Sequence, residues 1–302
     1  MRRVLGTITT DPAARLAVGS TFWFRPEIFQ VGSPPGEHTI ANWDHFGSAL
    51  LQLHVRDGDA LFVHGSAVLV APGVAIAAKH VVEEFLPQLS VEGGASLTCI
   101  SIIPSQLMAW TCKKMTMLPE TDLAILILSY ATELPPDATF AMAAITTRLP
   151  KVGEQVSMVG FTAIEKEVPF DPVGYTVRGD VRVSVGTVSE RHPTGRDKFL
   201  VPWPVLEIGS YASGGMSGGP VFDQRGHLLG IVSKSYVTDE QMGPSYISLL
   251  WPALMTPIDA EWPNGVHVPG RSLHEFGRLC CIDRPEALSR TTPTSWQYNP
   301  WE

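Results

Sequence analysis

From Gly214 to Gly230 the chain reads Gly-Gly-Met-Ser-Gly-Gly-Pro-Val-Phe-Asp-Gln-Arg-Gly-His-Leu-Leu-Gly, a stretch compatible with few folds. Two short apolar runs, Val221-Phe222 and Leu228 to Val232, flank a turn at Asp223 to Gly226, which predicts a β-hairpin directly after Ser217. Glycines on both sides of Ser217 open backbone conformations closed to other residues, so peptide N–H groups there can face a reacting oxygen instead of pairing in a sheet. Ser217 is therefore a candidate nucleophile, although most serines in such segments are turn residues.

A serine nucleophile needs a base and an acid. The apolar segment Val74 to Ala78 runs through Lys79 into His80, with a short helix expected over Val81 to Phe85. Further on, Pro119-Glu120-Thr121-Asp122 leads into the unbroken apolar run Leu123 to Leu128, which reads as a buried strand with Asp122 at its mouth. A carboxylate there can be shielded from water and still reach an imidazole. Taken singly, His80 reads as a helix-start residue and Asp122 as a strand-edge turn residue.

Together the three segments resemble the trypsin/chymotrypsin-like serine peptidases, whose triad comes in the order His, Asp, Ser with the serine in Gly-x-Ser-Gly-Gly-Pro. Gly65 to Gly73 looks like the hairpin before the histidine in bacterial, HtrA-like members. Gly186 to Ser189 looks like a strand of the second barrel, and Gly230 to Ser233 like the strand lining the cleft. The resemblance implies an all-β fold, a double six-stranded antiparallel β-barrel of trypsin-like type over residues 45–255. The barrels fall at about 45–140 and 150–255, between an N-terminal extension (1–44) and a C-terminal extension (256–302). No PDZ-like segment follows.

The same resemblance implies a serine endopeptidase acting on a protein or peptide substrate. His80 takes the Ser217 proton and returns it to the leaving amine, and Asp122 holds the imidazole. The N–H groups of Gly215 and Ser217 form the oxyanion hole, each such donor contributing about 3 kcal/mol to lowering the barrier. Ser233 supports Asp122. Tyr211, Ser235 and Gly243 line the substrate pocket, which lacks an acidic residue at Tyr211 and so suits small or apolar side chains. Met216 stands where zymogen-type members carry the aspartate that pairs with a new N-terminus, and no Ile-Val-Gly-Gly start is found. The loop before Ser217 must then be ordered by packing, substrate or an activating protein partner.

Two rival readings are open. Gly215-Met216-Ser217-Gly218-Gly219 also matches the nucleophile elbow of α/β-hydrolases, but that motif needs a helix after the serine and an acid and histidine downstream. The other rival is a peptidase-fold binding protein, latent until a partner docks.

Composition narrows the setting. A formal net charge of −8 and a pI near 5.6 argue against general nucleic-acid binding. No run approaches the ~18 apolar residues that span a bilayer, and Met1 to Asp11 lacks the apolar core of a signal peptide. Only Cys99, Cys112, Cys280 and Cys281 are present, which reads as free thiols and a cytoplasmic location, a Cys99–Cys112 bridge being the alternative in an oxidising compartment. The nine histidines show no helical metal-ligand spacing, so neither a metal nor another cofactor is expected. In the extensions, Thr21 to Phe24 and Trp43 are candidate anchors, and the C-terminal one carries Trp262, Trp296 and Trp301. Ser272 to Leu279 reads as a short helix with Ser272 as N-cap and Glu275 three residues on, and Ala163 to Asp180 reads as a loop insertion in the second barrel.

Overall fold

The apolar segments of the chain pair into two closed antiparallel barrels. The computed structural model describes residues 5–6, 23–40, 43–57, 60–89, 95–103, 106–132, 139–162, 175–176, 180–237, 242–258, 270–276, 279–292 and 295–301. The first barrel consists of β1 (Leu50–Asp57), β2 (Ala60–Ala71), β3 (Val74–Ala78), β4 (Ser96–Ile103), β5 (Gln106–Met117) and β6 (Leu123–Tyr130). Their order around the ring is β1-β2-β3-β6-β5-β4, with β4 pairing back onto β1. The second consists of β7 (Gln155–Phe161), β8 (Val181–His192), β9 (Val205–Ile208), β10 (Pro220–Asp223), β11 (Leu228–Val237) and β12 (Met242–Leu249). It runs β7-β8-β9-β12-β11-β10 and closes from β10 to β7. The two rings share one strand order, so the fold repeats a topology that no repeat in the sequence announces.

The continuous apolar runs lie where the barrels meet. All five residues of β3 and the first six of β6 are buried, because one face fills the first barrel while the other is covered by neighbouring elements, including β11. Such strands lose the in-out alternation of a one-sided sheet. The predicted hairpin after Ser217 is present as β10 and β11, paired Pro220 to Ile231 and Val221 to Gly230. Gly226 turns between them at φ +83°, against the backbone of Phe29.

The segment before the barrels packs onto both. Trp23–Glu27 runs parallel to Thr139–Ala143, and the Phe24 ring stacks on Phe140 with centroids 5.0 Å apart. Phe29 is buried against Phe46 and Phe222, a burial that contributes on the order of 2–3 kcal/mol. The short strand Gly36–Thr39 then adds antiparallel to β8, with Glu37 opposite Ser184.

At the other end, Ile282–Asp283 pairs with Ile145–Thr146 in the connection between the barrels. The guanidinium groups of Arg225 and Arg284 both lie over the Trp301 ring, and the indole N–H donates to Thr147 Oγ1 at 3.1 Å. The expected box at Ser272 forms on a short 3-10 turn, where the Ser272 N–H donates to Glu275 Oε2 at 2.9 Å. Among the described residues no helix is long and apolar enough to cross a membrane. The insertion expected over 163–180 falls between β7 and β8. Its residues 163–174 and 177–179 lie outside the described residues, as do Thr21, Phe22, Trp262 and loop positions 238–241.

Candidate active site

His80 lies in the first turn of α1 (Lys79–Glu83), which begins directly after β3. The helix thus starts two residues earlier than expected, because Asp122 caps its entrance. The Lys79 N–H donates to the Asp122 carbonyl at 3.2 Å, and the His80 N–H donates to Asp122 Oδ1 at 3.0 Å. This brings the imidazole over the carboxylate, with Nδ1 2.8 Å from Oδ2 and 3.0 Å from Oδ1. A carboxylate only accepts, so Nδ1 carries a proton, and in the neutral imidazole the lone pair is then on Nε2. The Lys79 ammonium turns away to pair with Glu83 at 3.5 Å.

Asp122 is 4% exposed, and its Oδ2 also accepts a hydrogen bond from Ser233 Oγ on β11. The second barrel therefore holds the acid that orients the first barrel's histidine.

Ser217 lies in the loop Gly209–Gly219 that leads into β10, and this loop is bonded to both barrels. On the first-barrel side, the Ser66 N–H donates to the Ser217 carbonyl at 2.9 Å, and Ser66 Oγ donates to the Gly215 carbonyl at 3.0 Å. On the second, Gly218 N–H reaches Val232 O at 2.8 Å and Val232 N–H reaches Gly219 O at 2.9 Å. Val232 neighbours Ser233, so Ser217 is tied to the strand that holds Asp122. The approach is close enough to require glycine. A Cβ on Gly218 would stand 2.1 Å from Ser66 O and 2.9 Å from Ala78 N, two residues before His80.

Gly215 has φ +90°, a left-handed conformation natural to glycine. The Met216 N–H donates to Ser213 O at 3.1 Å, forming a turn that exposes Gly214. Met216 itself is fully buried among Val156, Met158, Val221 and Leu229 in the second-barrel core. Where an ion pair is missing, apolar packing anchors the loop.

Of the expected pocket residues, Tyr211, Ser235 and Gly243 are each partly buried. Tyr211 O accepts from Ser184 Oγ at 2.5 Å. Ser235 Oγ lies 2.8 Å from Ser245 Oγ, which accepts from the Ala212 N–H at 2.9 Å. Gly243 sits where a Cβ would meet Tyr236 O at 2.6 Å. Ser245 thus joins the 211–212 segment to β11. Nothing local in the sequence distinguishes Ser245 and Ser66; each acts on a partner distant in the chain.

Elsewhere, burial disfavours the thiolate at three of the four cysteines, holding Cys99 and Cys280 well above the usual range and pushing Cys112 up to about 12. All four cysteines are free. Glu190, His192 and Glu207, on the paired strands β8 and β9, bring one potential metal-ligand atom each within 4.8 Å of one another. Glu190 and His192 share a strand face at i, i+2, the strand spacing rather than the helical one. Glu207 is already engaged by Ser189 Oγ at 3.0 Å and Tyr246 OH at 2.8 Å.

The sequence model of the family described as "Trypsin-like peptidase domain" matches residues 65–231, more than half of the chain. No curated protein sequence matches it. Similar solved structures include the active form of the Rv3671c protease from M. tuberculosis, 17% identical with a TM-score of 0.43 over 67% of this chain and 76% of that one. Deg5 is 16% identical with a TM-score of 0.46, over 67% and 84%. The HtrA-type protease AlgW with a decapeptide is 16% identical with a TM-score of 0.47, over 67% and 61%.

Proposed function

Because this chain belongs to the trypsin-like peptidase family, we propose that it is a serine endopeptidase whose catalytic residues are His80, Asp122 and Ser217. Ser217 Oγ attacks the carbonyl carbon of the scissile peptide while His80 Nε2 takes its proton. The tetrahedral intermediate collapses as the imidazolium returns that proton to the leaving amine, and water repeats the sequence on the acyl-enzyme. Asp122 keeps the His80 proton on Nδ1 and stabilises the imidazolium. The N–H groups of Gly215 and Ser217 receive the oxyanion.

The observation that carries this reading is the buried Asp122 carboxylate. It accepts from His80 Nδ1 in one barrel and from Ser233 in the other, beside the strand to which the Ser217 loop is bonded. The burial of Met216 supports an enzyme whose loop is ordered without a docked activator. Tyr211, Ser235 and Gly243 supply a pocket for small or apolar side chains, and dominant cleavage after Arg or Lys in a peptide library would refute that preference. Four free cysteines fit a reducing, cytoplasmic setting.

The test is labelling by a fluorophosphonate probe with intact-mass readout. One adduct on the wild type and none on Ser217→Ala is expected. A folded wild-type protein that takes no label overturns the assignment.

A further inference from the structure

The oxyanion hole proposed above depends on the peptide joining Gly214 to Gly215, whose N–H must face the substrate. Neither residue has a side chain to hold it, and a Gly-Gly peptide turns over easily because both sides of the Ramachandran map are open to it. Its orientation must come from its neighbours. On the C-terminal side Ser66 Oγ holds the Gly215 carbonyl at 3.0 Å. On the N-terminal side the neighbour is Ser213, whose hydroxyl lies 2.6 Å from Glu37 Oε1 and 2.7 Å from Oε2.

Glu37 is distant in sequence, on the short strand Gly36–Thr39. That strand adds to β8 opposite Arg182 to Val185, which directs the carboxylate at the loop. The Arg182 guanidinium binds the same carboxylate at 2.6 Å, and the Glu37 side chain is 14% exposed. The carboxylate is therefore fixed before it meets Ser213, and the contact is a charge-assisted hydrogen bond of the stronger kind. Met216 leaves the loop without an acidic latch of its own.

We propose that Glu37 is a positioning residue for catalysis. Through Ser213 it clamps the N-terminal side of the Gly214–Gly215 peptide, as Ser66 clamps the other, so the segment before the barrels is a working part of the oxyanion hole. The proposal rests on the serine-peptidase reading of Ser217.

The experiment measures the maximal rate and half-saturation of fluorophosphonate labelling in Glu37→Ala, Ser213→Ala, the double variant and Glu37→Gln, with thermal midpoints alongside. Each alanine variant is expected to lower the maximal rate about 10- to 100-fold, short of or near the loss of one oxyanion donor, with half-saturation little changed. The double variant should be no slower than the slower single, since both remove one contact, and Glu37→Gln, which keeps an acceptor, should fall between. Wild-type rates in both single variants, or losses that multiply in the double, overturn the proposal. Should Glu37→Ala fail to fold, Ser213→Ala decides alone. If the wild-type protein takes no label, the reading of Ser217 fails on its own account. The clamp is then tested by amide exchange across 213–217: faster exchange in Ser213→Ala supports it, and unchanged exchange overturns it.

Discussion

The Ser233 hydroxyl, buried on β11 of the second barrel, donates to Oδ2 of Asp122, which opens β6 of the first. Together with the two N–H donors of His80, it gives one buried carboxylate partners from both halves of the molecule. Any shift between the barrels is therefore felt at the imidazole.

Removing this contact should slow the enzyme without unfolding it. Ser233→Ala leaves part of a buried carboxylate unsolvated, at a cost of about 1–3 kcal/mol. A fall of roughly tenfold or more in kcat, with KM little changed, is expected in peptide hydrolysis. Asp122→Asn, which disturbs the tautomer, should lose about 10⁴-fold. Equal activity of Ser233→Ala and wild type would show that Asp122 needs no support from the second barrel.

The glycines around Ser217 differ in what they tolerate. Gly219→Ala places a Cβ 2.0 Å from Val159 O, and Gly218→Ala adds left-handed strain to a clash with Ser66 O. Both contacts are with backbone that cannot step aside, so losses of about 3 kcal/mol or more are expected in urea unfolding. A Cβ on Gly214 meets nothing within 4 Å. Gly214→Ala should unfold within about 1 kcal/mol of wild type.

An acid in place of Met216, directly before Ser217, should harm this protein. Met216 is fully buried among apolar residues, and the aspartate of Met216→Asp would have no partner there. A destabilisation of about 3 kcal/mol or more is expected from the unpaired charge, against less than about 1.5 kcal/mol for Met216→Leu. Chemical denaturation of the pair checks this, and a stable Met216→Asp would mean that the loop has another conformation available.

His54 gives the protein an acid limit. It is buried on β1 with Nε2 3.0 Å from Gln52 Oε1, and burial lowers its pKa from 6.5 to about 3. The unfolded chain thus binds a proton near pH 6.5 that the native state refuses until about pH 3. The stabilisation is complete above pH 6.5 and lost as the pH falls through that window, at up to about 1.4 kcal/mol per pH unit. His54→Gln should flatten the dependence of unfolding free energy on pH between 6.5 and 4. An unchanged slope would assign the acid sensitivity to other groups.

The order of motifs along the chain was enough to mark out the Ser217 hairpin, the buried strand after Asp122 and the histidine after β3, because each is written in consecutive residues. Apolar runs, turn glycines and a capping box act over a few positions, where propensity and local sterics decide. Set beside the family it resembles, the sequence also indicated that the loop before Ser217 lacks an acidic latch. Which atoms replace it was decided by tertiary structure. Ser66, Ser245 and Glu37 are ordinary residues until closure of the barrels brings them to the loop, 149 residues away for Ser66 and Gly215 and 176 for Glu37 and Ser213. The shared strand order of the two barrels was likewise invisible, since register and closure depend on which strand each edge meets. Local chemistry is encoded where it stands, whereas a hydrogen bond between distant residues exists only once the packing of everything between them has fixed the distance.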